Sequence, residues 1–360
     1  MIKLLIVEDD EKQIELFKDT IESVNKKAEK IFDEPDYRTE LESSIKALER
    51  KTAYDAAIID LKLKAGSGAD EFEGKELIAR IYNRIRIPIV VYSGNVSQVE
   101  EEETSLFLKR PRDRYTISDI LTEVKKIFDT GITEILSAEG TLDNNLSQIF
   151  WSHLAPNLKY WISQPDKKSL TRYVLSHIYE KLEIDDYGDF ENYNSAEVFI
   201  MPPIKKNIHT GDVFVTDSGS RYLVITPSCD IEIKKKKKTG ELFRKADYLT
   251  VLKINEFDLK IYCQDKEGKI DKGLIHDFVS NKSNRFQYLP PYLNDNGFII
   301  DFEEVMTLKI NIDTMVNRIA SVTQVFLKDI ISRFSQYYAR QGQPLFAKSE
   351  ELILKLSQVK

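Results

Sequence analysis

The chemistry of this chain is carried by polar residues placed at the ends of four short apolar runs. Glu8, Asp9 and Asp10 follow Leu4–Val7, Asp60 follows Ala56–Ile59, Ser93 follows Ile89–Tyr92, and Lys109 follows Leu106–Leu108. Clustered carboxylates, a hydroxyl and an ammonium are the groups that phosphoryl transfer to an aspartate needs. A carboxylate is a poor nucleophile toward a phosphoryl group because both carry negative charge. A hard divalent cation shared by the acids and the phosphoryl oxygens cancels that repulsion. An ammonium adds to the effect from a third side. A hydroxyl can donate to a phosphoryl oxygen only after transfer, so its position reports the charge state of the acceptor. Solvated charges at strand ends are the alternative. Four such residues in order, each ending an apolar run, make it the weaker one.

The runs themselves must position these groups. Continuous apolar stretches of this length read as parallel strands buried on both faces. They alternate with amphipathic segments. Ile14, Leu16, Phe17 and Ile21 mark a helix from about Glu11, and Lys30–Phe32 reads as a weaker second strand. Leu41, Ile45 and Leu48 lie at helical spacing, Leu77, Ile78, Ile81 and Ile85 mark a helix ended by Pro88, and Ile117, Ile120, Leu121, Val124 and Ile127 form a last one. The pattern predicts an α/β fold with a doubly wound, five-stranded parallel sheet. The carboxyl ends of its strands gather at one edge, where such folds bind ligands.

Over residues 1–128 these motifs resemble the receiver domain of bacterial response regulators, a flavodoxin-like fold. The resemblance implies that Asp60 is the phosphoacceptor and that Asp9 binds Mg²⁺ directly, with Glu8 assisting through water. It also implies that the Lys62 backbone carbonyl completes the metal's protein ligands, while Ser93 and Lys109 hold the phosphoryl oxygens. A histidine kinase or phosphotransfer protein would be the donor, and homodimerisation follows from family habit. Several features depart from the family. Asp33–Glu40 reads as an insertion, and the loop after Asp60 is long and lacks the expected proline. Lys109 is followed by Arg110 before Pro111. The chain between Ser93 and Lys109 is short enough to clip the fourth helix, and Leu106 stands where an aromatic is expected, with Phe107 beside it. These changes leave the acceptor chemistry intact and put the common output face in doubt. The loop 61–74 and the last helix are alternative routes for a signal.

Residues 129–190 read as a helical connector rich in aromatics (Phe150, Trp151, Tyr160, Trp161, Tyr173, Tyr179), spaced like the core of a helical subdomain. Residues 191–360 read as a β-rich, barrel-like output domain closed by terminal helices. Its expected strands are Val198–Met201, Val213–Thr216, Tyr222–Thr226, Tyr248–Ile254, Leu259–Cys263 and Gly297–Phe302, with a helix over Arg318–Arg340. The string Thr226-Pro227-Ser228-Cys229-Asp230 is either a catalytic loop, with His209, His276 or Arg285 brought near, or a buried Cys beside a turn-forming Asp. The second reading is favoured. Gly211–Phe214 leading into Tyr222–Thr226 is loosely similar to the SH3-like barrels of toxin ribonucleases. Tyr288–Pro291 with Phe302 and the last long helix is similar to C-terminal domains of bacterial defence-associated proteins. Lys234–Lys238, five lysines in a row, is either a solvated hairpin loop, the favoured reading, or a contact for phosphate backbone. No winged-helix or helix-turn-helix signature stands out.

Composition excludes several classes. Apolar residues make up 42% and charged residues 31%, as in ordinary globular chains. A net charge of −7 argues against a strongly basic nucleic-acid binder. Two cysteines, Cys229 and Cys263, build no disulfide framework and suit a reducing cytoplasm. The first apolar run ends in acids, so it is a strand and not a leader. No stretch reaches the ~20 apolar residues of a membrane span. The functional expectation is a cytoplasmic response regulator acting through a phosphorelay. The alternatives are a receiver-gated nuclease or other hydrolase, and an interaction scaffold in a defence complex.

Overall fold

The structure is a computed structural model. It describes all residues except 28–29, 50–53, 64–72, 83, 138–139, 184–191, 237, 292–295, 311–316, 341–348 and 359–360. The chain divides into two compact units, Met1–Phe190 and Glu191–Lys360.

In the first unit, β1 (Leu4–Val7), β3 (Ala56–Ile59) and β4 (Ile89–Ser93) are buried along their whole length. β2 (Asp36–Arg38) and β5 (Phe107–Pro111) flank them. The sheet has the order β2-β1-β3-β4-β5 and every pairing is parallel. This is the doubly wound, flavodoxin-like sheet that the apolar runs predict. Successive side chains alternate between its faces. Leu5, Val7, Ala57, Ile59, Val91 and Phe107 pack with Leu77, Ile78 and Ile81 of α3 (Glu73–Ile81) and with Leu41 and Ile45 of α2 (Leu41–Glu49). Leu4, Ile6, Ile58, Val90 and Leu108 pack with Phe17 and Ile21 of α1 (Glu11–Lys27) and with Ile120, Leu121 and Val124 of α4 (Ile117–Phe128). A capping box starts α4: the Thr116 side chain accepts from the Asp119 N–H, and Asp119 accepts from the Thr116 N–H.

Two sequence expectations change here. The second strand is Asp36–Arg38, inside the segment read as an insertion, while Phe32 of the expected strand makes only an isolated bridge to Ile2. Between β4 and β5 the clipped fourth helix is reduced to a single 3-10 turn at Val96–Gln98.

Residues 129–190 carry α5 (Ile132–Leu136), α6 (Thr141–Ile149), a π-helical turn at Phe150–Leu154, α7 (Ala155–Ser163) and α8 (Lys167–Leu182). The aromatics expected as core are largely exposed, with Trp151 at 73%, Tyr160 at 60% and Phe150 at 50%. Some of them lie against one another or a histidine, tilted as in Trp161–Tyr173 or T-shaped as in Tyr173–His177.

The second unit is built on an antiparallel seven-stranded sheet that curls strongly. It comprises β6 (Phe199–Ile200), β7 (Asp212–Val215), β8 (Arg221–Val224), β11 (Tyr248–Glu256), β12 (Phe286–Leu289), β13 (Phe298–Lys309) and β14 (Arg318–Val322). Their order is β12-β13-β11-β8-β7-β14-β6. A register shift between Leu252 and Ile254 bends the long β11–β13 ribbon. One face closes on Leu327, Ile330 and Tyr337 of α12 (Gln324–Ala339). The short helices α9 (Ser228–Ile231), α10 (Leu259–Tyr262) and α11 (Lys272–Val279) lie between strands, and α13 (Ser349–Ser357) follows at the end. The expected strand at Leu259–Cys263 is therefore the helix α10, capped by the Asp258 side chain accepting from the Lys260 N–H. The expected helix over Arg318–Arg340 is a strand followed by a helix. The lysine run opens as a strand, β9 (Lys234–Lys235), paired with β10 (Leu242–Phe243); Lys237 lies outside the described residues.

Candidate functional site

The site lies at the carboxyl ends of β1 and β3, the point where the strand order reverses. Parallel pairing fixes both ends. The Glu8 N–H donates to the Arg38 carbonyl and the Asp60 N–H to the Val7 carbonyl, each at 2.9 Å. The ladder bonds thus deliver Glu8 and Asp60 side by side. One carboxylate oxygen each from Glu8, Asp9 and Asp60 lies within 4.8 Å of the others. Glu8 and Asp60 are buried, at 2% and 7% exposure. The Leu61 N–H donates to Asp60 Oδ1 at 2.8 Å, and the Asp10 N–H to Glu8 Oε1 at 3.1 Å.

Within this cluster the Glu8 carboxyl resists ionisation. Burial pushes the Glu8 carboxyl up. The Arg112 charge and the Asp10 N–H pull it down, and the charges of Asp60 and Asp9 push it up again. The net position is about 7. A hard oxygen donor set of this kind fits a divalent cation.

The other sequence-predicted residues fall around this edge. Ser93 closes β4 and is buried. Lys62 is two residues beyond Asp60 on the described part of the following loop; residues 64–72 of the proposed signalling loop lie outside the described residues. Lys109, level with Val91 across the β4–β5 pair, donates its Nζ to the Val99 carbonyl at 2.7 Å. Its charge is thereby anchored in the segment that replaces the fourth helix. Phe107 is buried edge-on against Tyr82, while Leu106 is half-exposed.

The sequence reasoning missed two arginines beside Lys109. Arg110 pairs with Glu103 at 2.5 Å and Glu123 at 2.7 Å, and lies 4.9 Å from the Tyr115 ring centre. It joins β5 to α4 and to the segment after β4. Arg112 enters the acidic cluster. The same terminal nitrogen contacts a Glu8 carboxylate oxygen and lies 3.2 Å from Asp60 Oδ2. Its Nε donates to the Tyr92 carbonyl at 3.3 Å, and its guanidinium lies 5.3 Å from the Tyr92 ring centre. The string Lys109-Arg110-Pro111-Arg112 carried the signal, since it puts two further cations at the end of β5.

In the second unit the residues singled out from sequence engage a variety of partners. Cys229 is exposed, contrary to the favoured reading of a buried thiol, and its Sγ lies 3.6 Å from Asp230 Oδ1. Asp230 pairs with Lys245 at 3.4 Å. His209 places Nδ1 2.6 Å from the Asn207 carbonyl, His276 lies against Lys282 and Asp277, and Arg285 engages Asp301 and Glu303. The turn is stitched by Thr210, whose hydroxyl donates to the Thr226 carbonyl at 2.6 Å and meets Ser228 Oγ at 2.8 Å.

No family model and no curated protein matches the chain. Among solved structures, a CheY-like response regulator receiver domain from Methylobacillus flagellatus is 24% identical, covering 35% of this chain and 98% of that one at a TM-score of 0.28. A phosphorylated cyanobacterial phytochrome response regulator is 18% identical, covering 35% and 91% at 0.26. A mycobacterial endoribonuclease is 10% identical, covering 38% and 95% at 0.24. Among the described residues no helix is long and apolar enough to cross a membrane.

Proposed function

We propose that residues 1–128 accept a phosphoryl group on Asp60 and that the change is relayed through residues 129–190 to an output unit at 191–360. The observation that carries this reading is the closure of buried Glu8 and Asp60 with half-buried Asp9 into one cluster at the β1–β3 switch point. The donor would be a phosphohistidine on a histidine kinase or phosphotransfer protein. An Asp60 carboxylate oxygen forms the new P–O bond as the donor's P–N bond breaks, and the imidazole leaves with the electron pair. Mg²⁺, held by Glu8, Asp9, Asp60 and the Lys62 carbonyl, would offset the charge that gathers at phosphorus. The Leu61 N–H keeps the acceptor oriented by holding Asp60 Oδ1. The Ser93 hydroxyl and the Lys109 ammonium would then take phosphoryl oxygens. One of the three Lys109 donors now goes to the Val99 carbonyl, so drawing the ammonium toward a phosphoryl oxygen would pull on the segment between β4 and β5. A local charge change thereby biases a movable element.

Intact-mass measurement after incubation with Mg²⁺ and a small acyl phosphate tests this reading. One added phosphoryl group is expected on the wild-type chain and none on Asp60→Asn. Hydrogen exchange on the same samples should change at residues 94–106 and beyond residue 128. The chain's two tryptophans, Trp151 and Trp161, both lie in the helical segment and offer a fluorescence reading of the same relay. A chain that takes no phosphoryl group with both Mg²⁺ and donor present would sink the reading.

A further inference from the structure

We propose that Arg112 is an internal cation of the acidic pocket, exchanged for the divalent ion rather than coexisting with it. The proposal rests on the cation-binding part of the reading above and adds a competitor that is built into the chain. Its basis is geometric. One guanidinium nitrogen serves two buried carboxylates at once, touching Glu8 and lying 3.2 Å from Asp60 Oδ2. These are two of the three carboxylates that converge in the pocket. A small hard cation takes oxygens at roughly 2.0–2.1 Å and demands near-octahedral geometry. It would draw on the same oxygens that Arg112 now engages. Two positive groups sharing those oxygens would also repel across a few ångströms in a partly desolvated pocket.

The surroundings let the side chain leave without unfolding the strand end. The Arg112 N–H donates to the Ser93 carbonyl at 3.1 Å, which fixes the backbone at the end of β4. The Tyr92 carbonyl and ring already hold the guanidinium from another side, so it keeps these partners when the carboxylates are released. Arg112 is therefore tied to the two residues that end β4, Tyr92 and Ser93. Metal entry would reset contacts at that strand end before any phosphoryl group arrives. With Arg112 in place the pocket is partly neutralised and the fold does not depend on the metal. Without it, Glu8 and Asp60 would face each other uncompensated.

Calorimetric titration of the full-length chain with Mg²⁺ tests the exchange, comparing wild type with Arg112→Ala and Arg112→Gln. Both variants should bind Mg²⁺ about 10- to 100-fold tighter, the range set by losing a competing charged hydrogen bond. Both should melt at lower temperature than wild type without divalent ions and regain most of the difference at saturating Mg²⁺. Arg114→Ala removes the same charge from an exposed neighbour and should leave affinity within about twofold, which separates local competition from general field effects. Should the variants prove too unstable without metal, the wild-type Arg112 Nε–H resonance should shift on adding Mg²⁺, with Arg112→Lys assigning the signal. Equal or weaker Mg²⁺ affinity in the variants, or an Arg112 resonance indifferent to Mg²⁺, would overturn the exchange while leaving phosphoryl acceptance standing. Absence of Mg²⁺ binding in every form, including Arg112→Ala, would overturn both.

Discussion

Gly74 lies against the backbone of Asp60 so closely that a methyl group on it would sit 2.2 Å from the Asp60 carbonyl oxygen. The same methyl would meet Leu61 Cα at 2.7 Å. Both neighbours are backbone, so neither can swing aside as a flexible side chain could. The first turn of α3 therefore presses on the peptide that carries the acceptor, and only a residue without a side chain permits the approach. Gly74→Ala should cost about 1–3 kcal/mol, the range for overpacking a filled site. It should also displace Asp60 relative to Glu8 and Asp9. Denaturation gives the first quantity and Mg²⁺ titration the second. Ile78→Val serves as a control that loosens the same helix without touching Asp60. A Gly74→Ala chain that matches wild type in both measurements would show that the backbone relaxes freely here.

Lys109 and Val99 make a second checkable pair. The Nζ–carbonyl bond of 2.7 Å ties the middle of β5 to a segment that a single 3-10 turn, the Thr104–Phe107 bridge and the Arg110–Glu103 pair also hold. Lys109→Met keeps the stem and removes the donor. Hydrogen exchange across residues 96–106 should quicken by about tenfold or more in the absence of any donor or metal, as expected for a lost charged hydrogen bond. Unchanged exchange there would mean that Lys109 is free to serve Asp60 without first releasing anything.

The Glu8 carboxyl gives the pocket a pH dependence. Its position near 7 lies above the ordinary value of 4.5 because burial opposes the charge more than Arg112 and the Asp10 N–H favour it. The proton must leave before the site presents its full charge to a cation. Mg²⁺ affinity should therefore fall about tenfold per unit as pH drops well below 7, and level off above it. Glu8→Gln should bind more weakly but with a flat profile between pH 5 and 8. Stability without metal runs the other way. A raised carboxyl contributes fully below pH 4.5 and loses that contribution as pH rises toward 7. Glu8→Gln should remove that decline.

The parallel sheet was legible because three of its strands are buried on both faces and so appear as unbroken apolar runs. β2 was not, because an edge strand reading Asp36-Tyr37-Arg38 is only half-buried and shows no such run. Phe32 drew the assignment instead, being buried for a different reason, its place in the core with Ile2, Phe17 and Ile21. Leu259–Cys263 illustrates a second limit. A five-residue stretch, Leu-Lys-Ile-Tyr-Cys, is too short to show a period, and the Asp258 cap was the local clue to a helix. Strand ends offered Glu8, Asp9, Asp10 and Asp60, and the resemblance to receiver domains singled out three of them. Arg112 was missed, because its role depends on how the turn after Pro111 aims a side chain. The aromatics of residues 150–179 have helical spacing whether or not anything covers them, so spacing could not reveal their exposure.

The second unit offers a test that owes nothing to the first. Arg285 grips Asp301 with two bonds, Nε to Oδ1 at 2.9 Å and a terminal nitrogen to Oδ2 at 2.6 Å, and reaches Glu303 at 3.0 Å. Glu303 in turn accepts from the Tyr337 hydroxyl at 2.5 Å, and Arg340 lies 3.7 Å from the Tyr337 ring centre. The chain of contacts ties the start of β12 to β13 and α12. Burial alone would raise the Asp301 carboxyl, but the Arg285 bonds, the Glu303 N–H and the Arg285 charge outweigh it and hold it below its ordinary 3.8. A carboxylate lowered in the fold stabilises above its unfolded value and loses that contribution as pH falls through its folded one. Asp301→Asn should cost about 1.5–3 kcal/mol at neutral pH. The gap from wild type should narrow as pH falls below 3.8. Hydrogen exchange of peptides from β12 and β13 in the full chain isolates the effect from the first unit. A gap that stays constant into acid would show that the paired charge contributes no stability and that Asp301 matters there only for its shape.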